Sequence, residues 1–135
     1  MANQTTPEDT ATATLAFTVG DAQTAAGSLT VTASSSNPTL IPVANLSLGG
    51  GGASRTVGVT PVANQNGAAT ITLTVADAEG LTAGTSFTVT VSAVNDLPAI
   101  SALADVTTAA GTATAARPFT AVSYTHLTLP TNREV

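Results

Sequence analysis

The 135-residue chain contains no cysteine, tryptophan or lysine, a single histidine, and aromatic residues at only 3%. Each absence removes a class of explanation. Without cysteine there is neither a disulfide framework nor a thiolate metal site. The cations are Arg55, Arg117 and Arg133, and the net charge is -5, so no basic patch exists to hold phosphate and nucleic-acid binding is disfavoured. His126 stands alone near the C-terminus, so a hydroxyl nucleophile would lack a base and no catalytic residues are assigned. Asp21 and Asp77 could pair as glycosidase carboxylates, but there are scarcely any aromatics to stack a sugar. No apolar run approaches the ~20 residues of a membrane span, and MANQTTPEDT lacks the basic and apolar regions of a signal peptide. Any export signal is expected outside this sequence.

What the chain has is threonine, about a fifth of its residues, interleaved with valine and alanine. These residues favour strands, and no long stretch carries helical periodicity, so the class is all-β. The stretch DAEGLTAGTSFTVTVSAVND, residues 77–96, gives the clearest signal. Phe87, Val89, Val91 and Ala93 share one face of an extended chain and Thr88, Thr90 and Ser92 the other. Further strands are predicted at 13–19, 28–34, near 40–48, 55–60, 68–76 and 85–94, separated by turn signals as in a sandwich. Leu15, Phe17, Val19, Leu29, Val31, Val57, Val59, Ile71, Leu73 and Val75 are expected to build the core with Phe87, Val89 and Val91. Asn66-Gly67 and Glu79-Gly80 suit turns that need positive φ. Gly49 to Gly52 reads as a flexible loop tip, without the spacing of a phosphate cradle.

An internal repeat sets the domain organisation. Shifted by 102 positions, residues 3–19 align with 105–121, and eight of seventeen pairs are identical, Phe17-Thr18 and Phe119-Thr120 among them. One repeat is therefore expected over residues 1–97 and the opening of a second over 98–121. From Val122 the sequence VSYTHLTLPTNREV leaves the threonine-alanine-valine pattern and resembles translated sequencing-adapter sequence, so 122–135 is read as non-native.

If successive strands alternate in direction, the loops after 13–19 and 68–76 share one end. That end collects Asp21, Gln23, Asp77 and Glu79; the other collects Glu8, Asn64, Asn66, Asn95 and Asp96. Carboxylates and amides are the ligand types of calcium, which takes six to eight oxygens. They are equally the ordinary residues of soluble turns. Asn3-Gln4-Thr5 and Asn45-Leu46-Ser47 match glycosylation acceptors, a pattern frequent by chance in so threonine-rich a chain.

The frame TPEDTAT, FTVGDAQTAAGSLTVTASSSN and PVANQNGAATITLTVADAEGLTAGTSFTVTVSAVNDLPAI resembles the tandem cadherin-like or Ig-like repeats of large bacterial surface proteins and adhesins, over about residues 5–121. The resemblance implies a seven-stranded antiparallel Greek-key β-sandwich, secreted or surface-anchored, acting as an extender between the cell and a distal binding domain. It also implies calcium between consecutive repeats. Carried over by position, Pro7-Glu8 matches the Pro-Glu motif, Asn95-Asp96 with Pro98 the linker, Asp21 the first aspartate of Asp-x-Asp, and Asp77 the aspartate ending its strand. The metal ligands implied are thus Glu8, Asp21, Asp77, Asn95 and Asp96. Ala93, Gln23 and Ala109-Ala110 depart from the family pattern, as does Asn64 to Gly67 in place of an acidic loop. The partners expected are neighbouring repeats of the same chain. A carbohydrate- or protein-binding module, with contacts from Ser35–Pro38 or Gly49–Gly52, and an accessory domain of a secreted enzyme stay open as alternatives.

Overall fold

A computed structural model of the chain describes residues 1–123. Among them helix is confined to two three-residue 3-10 turns, Ala26–Ser28 and Val43–Asn45, and the fold is all-β. Residues 1–94 form one compact unit, and a second begins at Asn95.

In the first unit, β1 (Gln4–Pro7), β7 (Thr82–Ser92), β6 (Gly67–Ala76) and β3 (Thr30–Ser35) make a four-stranded sheet in the order β1-β7-β6-β3. A three-stranded sheet has the order β2-β5-β4, from β2 (Leu15–Thr18), β5 (Ser54–Val59) and β4 (Leu46–Gly51). All pairings are antiparallel except β1 with β7, which is parallel from Gln4 opposite Val89 to Pro7 opposite Ser92. The longest ladder joins β6 to β7, from Gly67 opposite Val91 to Ala76 opposite Thr82.

Period-2 alternation decides which side chains are buried. Ala69, Ile71 and Leu73 of β6 and Phe87, Val89 and Val91 of β7 meet Leu46, Val57 and Val59 of the other sheet in one apolar cluster. The cluster also contains Leu40 and Ile41, from a loop without alternation. Their burial follows from how the loop is tied: both backbone N–H groups donate to the Asn37 carbonyl, at 3.2 and 2.9 Å, and the Leu40 carbonyl accepts from Val62. Leu15 and Phe17 pack against the cluster, while Val19, Val31 and Val75 are only half-buried, so the core is thinner at their end than the sequence pattern implied.

Two further expectations are corrected. The strand anticipated near 40–48 begins at Leu46, because Val43–Asn45 is a 3-10 turn. Gly49 to Gly52 is not a loop tip: Gly49–Gly51 pair with Thr56, Arg55 and Ser54, leaving Gly52 and Ala53 as the turn of a tight hairpin. Pairing overrides the low strand propensity of glycine because the backbones come close. At Gly50, with φ 85°, a Cβ would lie 2.4 Å from the Ser54 carbonyl oxygen. The strand β1, in turn, carried no sequence assignment.

Ile71, fully buried in the cluster, should cost about 2–5 kcal/mol of stability when truncated to alanine, read from urea unfolding. Gly50→Ala should cost about 1–3 kcal/mol, whereas Gly51→Ala, where a Cβ meets nothing within 4 Å, should stay within about 0.5 kcal/mol. Equal effects at the two glycines would refute the close-approach account.

Candidate functional site

The acidic residues of the first unit divide between its two ends. After β2 and after β6 the chain turns at the same end: Asp21 and Asp77 line one cavity with Leu29, Val75 and Leu81, and the Thr24 hydroxyl donates to Glu79 Oε2 at 3.4 Å. Directional alternation of the strands therefore brings Asp21, Asp77 and Glu79 together as expected.

Both aspartates close turns. Asp21 Oδ2 accepts the backbone N–H groups of Gln23 at 2.9 Å and Thr24 at 2.6 Å. Asp77 Oδ1 accepts those of Glu79 at 3.0 Å and Leu81 at 2.8 Å, fixing the β6–β7 turn. The turn-residue reading of these positions is thus satisfied geometrically. Charge compensation is sparse here: Arg55 spends its guanidinium on carbonyls, at 2.9 Å to Gly52, 3.1 Å to Ala26 and 3.2 Å to Leu29. It thereby holds the segment between Asp21 and β3. Arg55 had no role in the sequence reading, since nothing in its surroundings marks a guanidinium that caps carbonyls some 26 and 29 residues away.

At the other end, Glu8 is buried, its Oε1 accepting from the Val94 N–H at 2.6 Å and its own N–H donating to the Ser92 carbonyl at 2.9 Å. It locks the end of β1 onto the end of β7. Next to it Asp9, at φ 62°, accepts the Asn64 N–H at 2.8 Å. In the second unit Asn95 is exposed and Asp96 half-buried, with Asp96 Oδ2 buried and without a hydrogen-bond partner among the described residues.

Calcium asks for six to eight oxygens. Among the described residues no three His, Cys, Asp or Glu side chains converge as a metal-holding group. Asp21 and Asp77 each have one carboxylate oxygen engaged by the turn. The donor chemistry fits the cation, but the number of donors at this end is too small for a complete site. Both glycosylation-type asparagines are in structural use: Asn3 Oδ1 accepts the Thr88 N–H at 2.9 Å, and Asn45 Nδ2 donates to the Thr60 carbonyl at 2.9 Å.

The Thr24 backbone N–H, and then that of Gln23, hold the Asp21 carboxyl below its ordinary value of 3.8. A lowered folded-state pKa means that the contribution to stability is present above the unfolded value and is lost as pH falls through the folded one. Acid unfolding of the wild-type chain should therefore steepen below about pH 3.8, and Asp21→Asn should flatten that limb. Matching limbs in a pH series of thermal melts would remove Asp21 from the account.

No protein-family model, no curated protein and no solved structure matches this chain.

Proposed function

We propose that this chain carries an extender repeat of a secreted or surface-anchored bacterial adhesin, followed by the opening of a second repeat, and that calcium stiffens the junctions between repeats. In this reading the two sheets of the first unit form a seven-stranded Greek-key sandwich of the cadherin-like or Ig-like kind. The strand orders β1-β7-β6-β3 and β2-β5-β4, with β1 parallel to β7, support it.

The observation that carries the proposal is a turn that recurs 102 residues later. The Thr6 hydroxyl donates to the Thr10 carbonyl at 2.9 Å, and the Thr108 hydroxyl donates to the Thr112 carbonyl at 3.1 Å. Asp9, between the first pair, has φ 62°, and its counterpart Gly111 has φ 78°. Asp and Gly differ in side chain yet adopt the same left-handed backbone, so the likeness of the two segments goes beyond shared threonine and alanine. A module repeated in line, with its charges gathered at its two ends, suits a spacer better than a binding face.

Asp21 and Asp77 would hold calcium at one end, with Glu8, Asn95 and Asp96 included by their places in the sequence. The partnerless buried oxygen of Asp96 is the kind of group a cation satisfies. The ion would neutralise carboxylates that otherwise repel one another, which favours a fixed angle between repeats. A site shared between consecutive repeats also accounts for a donor set that is short at one end of a single unit.

In a two-repeat protein, calcium at a hundredfold above its Kd should add about 2.7 kcal/mol of stability, seen as a rise of several degrees in Tm over EDTA. The maximum dimension from X-ray scattering should lengthen as well. If neither changes, the calcium part of the proposal fails.

A further inference from the structure

Among the described residues the outer edge of β2 has no partner strand, although its sheet continues on the other side. β2 ends the sheet order β2-β5-β4. Its pairing to β5 runs Leu15 opposite Val57 to Thr18 opposite Ser54, and the Val19 N–H extends the ladder to the Ala53 carbonyl at 2.9 Å. Backbone groups alternate in direction along a strand, so those of Val19 point toward β5 and those of Thr18 and Gly20 point to the open side.

The second unit shows what pairs with such an edge. There β8 (Ala99–Ile100) pairs antiparallel with β9 (Ala121–Val122), Ala99 opposite Val122 and Ile100 opposite Ala121. The Ser101 N–H donates to the Thr120 carbonyl at 2.9 Å, and the Thr120 N–H to Ser101 Oγ at 3.0 Å. By the 102-residue shift, Thr120, Ala121 and Val122 correspond to Thr18, Val19 and Gly20. The groups of Thr120 that bond Ser101 are the same groups that Thr18 turns to its open side.

We propose that the free edge of β2 at Thr18–Gly20 is a docking site for an extended Leu-Pro-Ala-Ile-Ser segment, the sequence of Leu97–Ser101, entering immediately ahead of residue 1 of the repeat. This rests on the repeat reading above. Residues directly opposite in an antiparallel pair share a face, so the isoleucine of the segment lies on the face of Val19. That face borders a cavity of about 180 Å³ lined by Phe17, Val19, Val31, Leu73, Val75 and Gly84. The half-burial of Val19, Val31 and Val75 follows from the same gap. β1 covers β7 only from Val89 to Ser92, which leaves β7 at Ala83–Thr85, paired with β6 along one edge, without a second partner strand among the described residues. The segment supplies both things the gap lacks: backbone partners for Thr18 and Gly20, and a branched apolar side chain. In the second unit Ile100 is 69% exposed, the side chain to be buried.

The test places the six residues of Leu97–Ala102 ahead of Met1 in the full chain. By the same shift they set a serine opposite Thr18 and an isoleucine opposite Val19. Tm should rise by roughly 5 °C, and amide exchange at Gly20 should slow about tenfold. The same extension with aspartate at its isoleucine should lose the gain. As a second measurement, the acetylated six-residue peptide added to the unextended chain should shift the NMR amide signals of Thr18 to Gly20 in a saturable way. No change in Tm or exchange, an equal gain from the aspartate version or from a scrambled extension, or no peptide response overturns the docking site. A calcium-dependent rise in Tm in a chain indifferent to the extension would sink the docking site and leave the extender reading standing, while the reverse result would sink only the calcium.

Discussion

The first unit depends on β7 being paired along both edges. Its antiparallel ladder with β6 is the longest in the molecule's described part, and β1 joins it in parallel near its end. A strand enclosed in this way presents Phe87, Val89 and Val91 to the core with register fixed twice over, since a slip of one residue would turn all three outward. The second constraint is local and electrostatic. Glu8 ties the end of β1 to the end of β7 through Val94 and Ser92, so the residue that the family resemblance assigns to calcium also holds the parallel pairing. A substitution there would therefore report on folding before it reported on a metal.

Much of this was legible because alternation is a strong signal where one face is buried. Val57 and Val59, Ile71 and Leu73, and Phe87, Val89 and Val91 all lie where period 2 places them. Leu40 and Ile41 escaped it, being adjacent in sequence and buried by a loop that Asn37 folds back through its carbonyl and its side chain. β1 escaped as well: Gln-Thr-Thr-Pro has no apolar alternation, and it becomes a strand because β7 offers it an edge. The glycine run misled in the opposite direction. Its residues look flexible one at a time, yet the close approach of Gly50 to Ser54 requires a residue without a side chain.

For the acidic residues, sequence spacing gave location and left role open. Strand direction gathers Asp21, Asp77 and Glu79 at one end, a conclusion that needs no side-chain detail. What spacing could not supply is that Asp21 and Asp77 already accept two backbone N–H groups each. Turn closure and cation binding use the same carboxylate chemistry, and one oxygen of a carboxylate can serve a turn while the other serves a cation. The two roles are compatible, and the turn fixes the carboxylate orientation on which any cation site there would depend.

An extended sheet edge is a hazard, because unpaired N–H and C=O groups invite any strand that passes. β2 limits the hazard by being four residues long. A tandem array removes it in a different way, if the segment leaving one repeat supplies the edge partner of the next. Such an arrangement makes each repeat's stability depend on its predecessor through backbone pairing, and ion-mediated stiffening would act at the same boundary through charge. Nearest-neighbour terms of this kind are what hold repeat proteins together. If the proposed repeat arrangement holds, the thin end of the core, where Val19, Val31 and Val75 are half-buried, is a surface that chain from an adjoining repeat would complete.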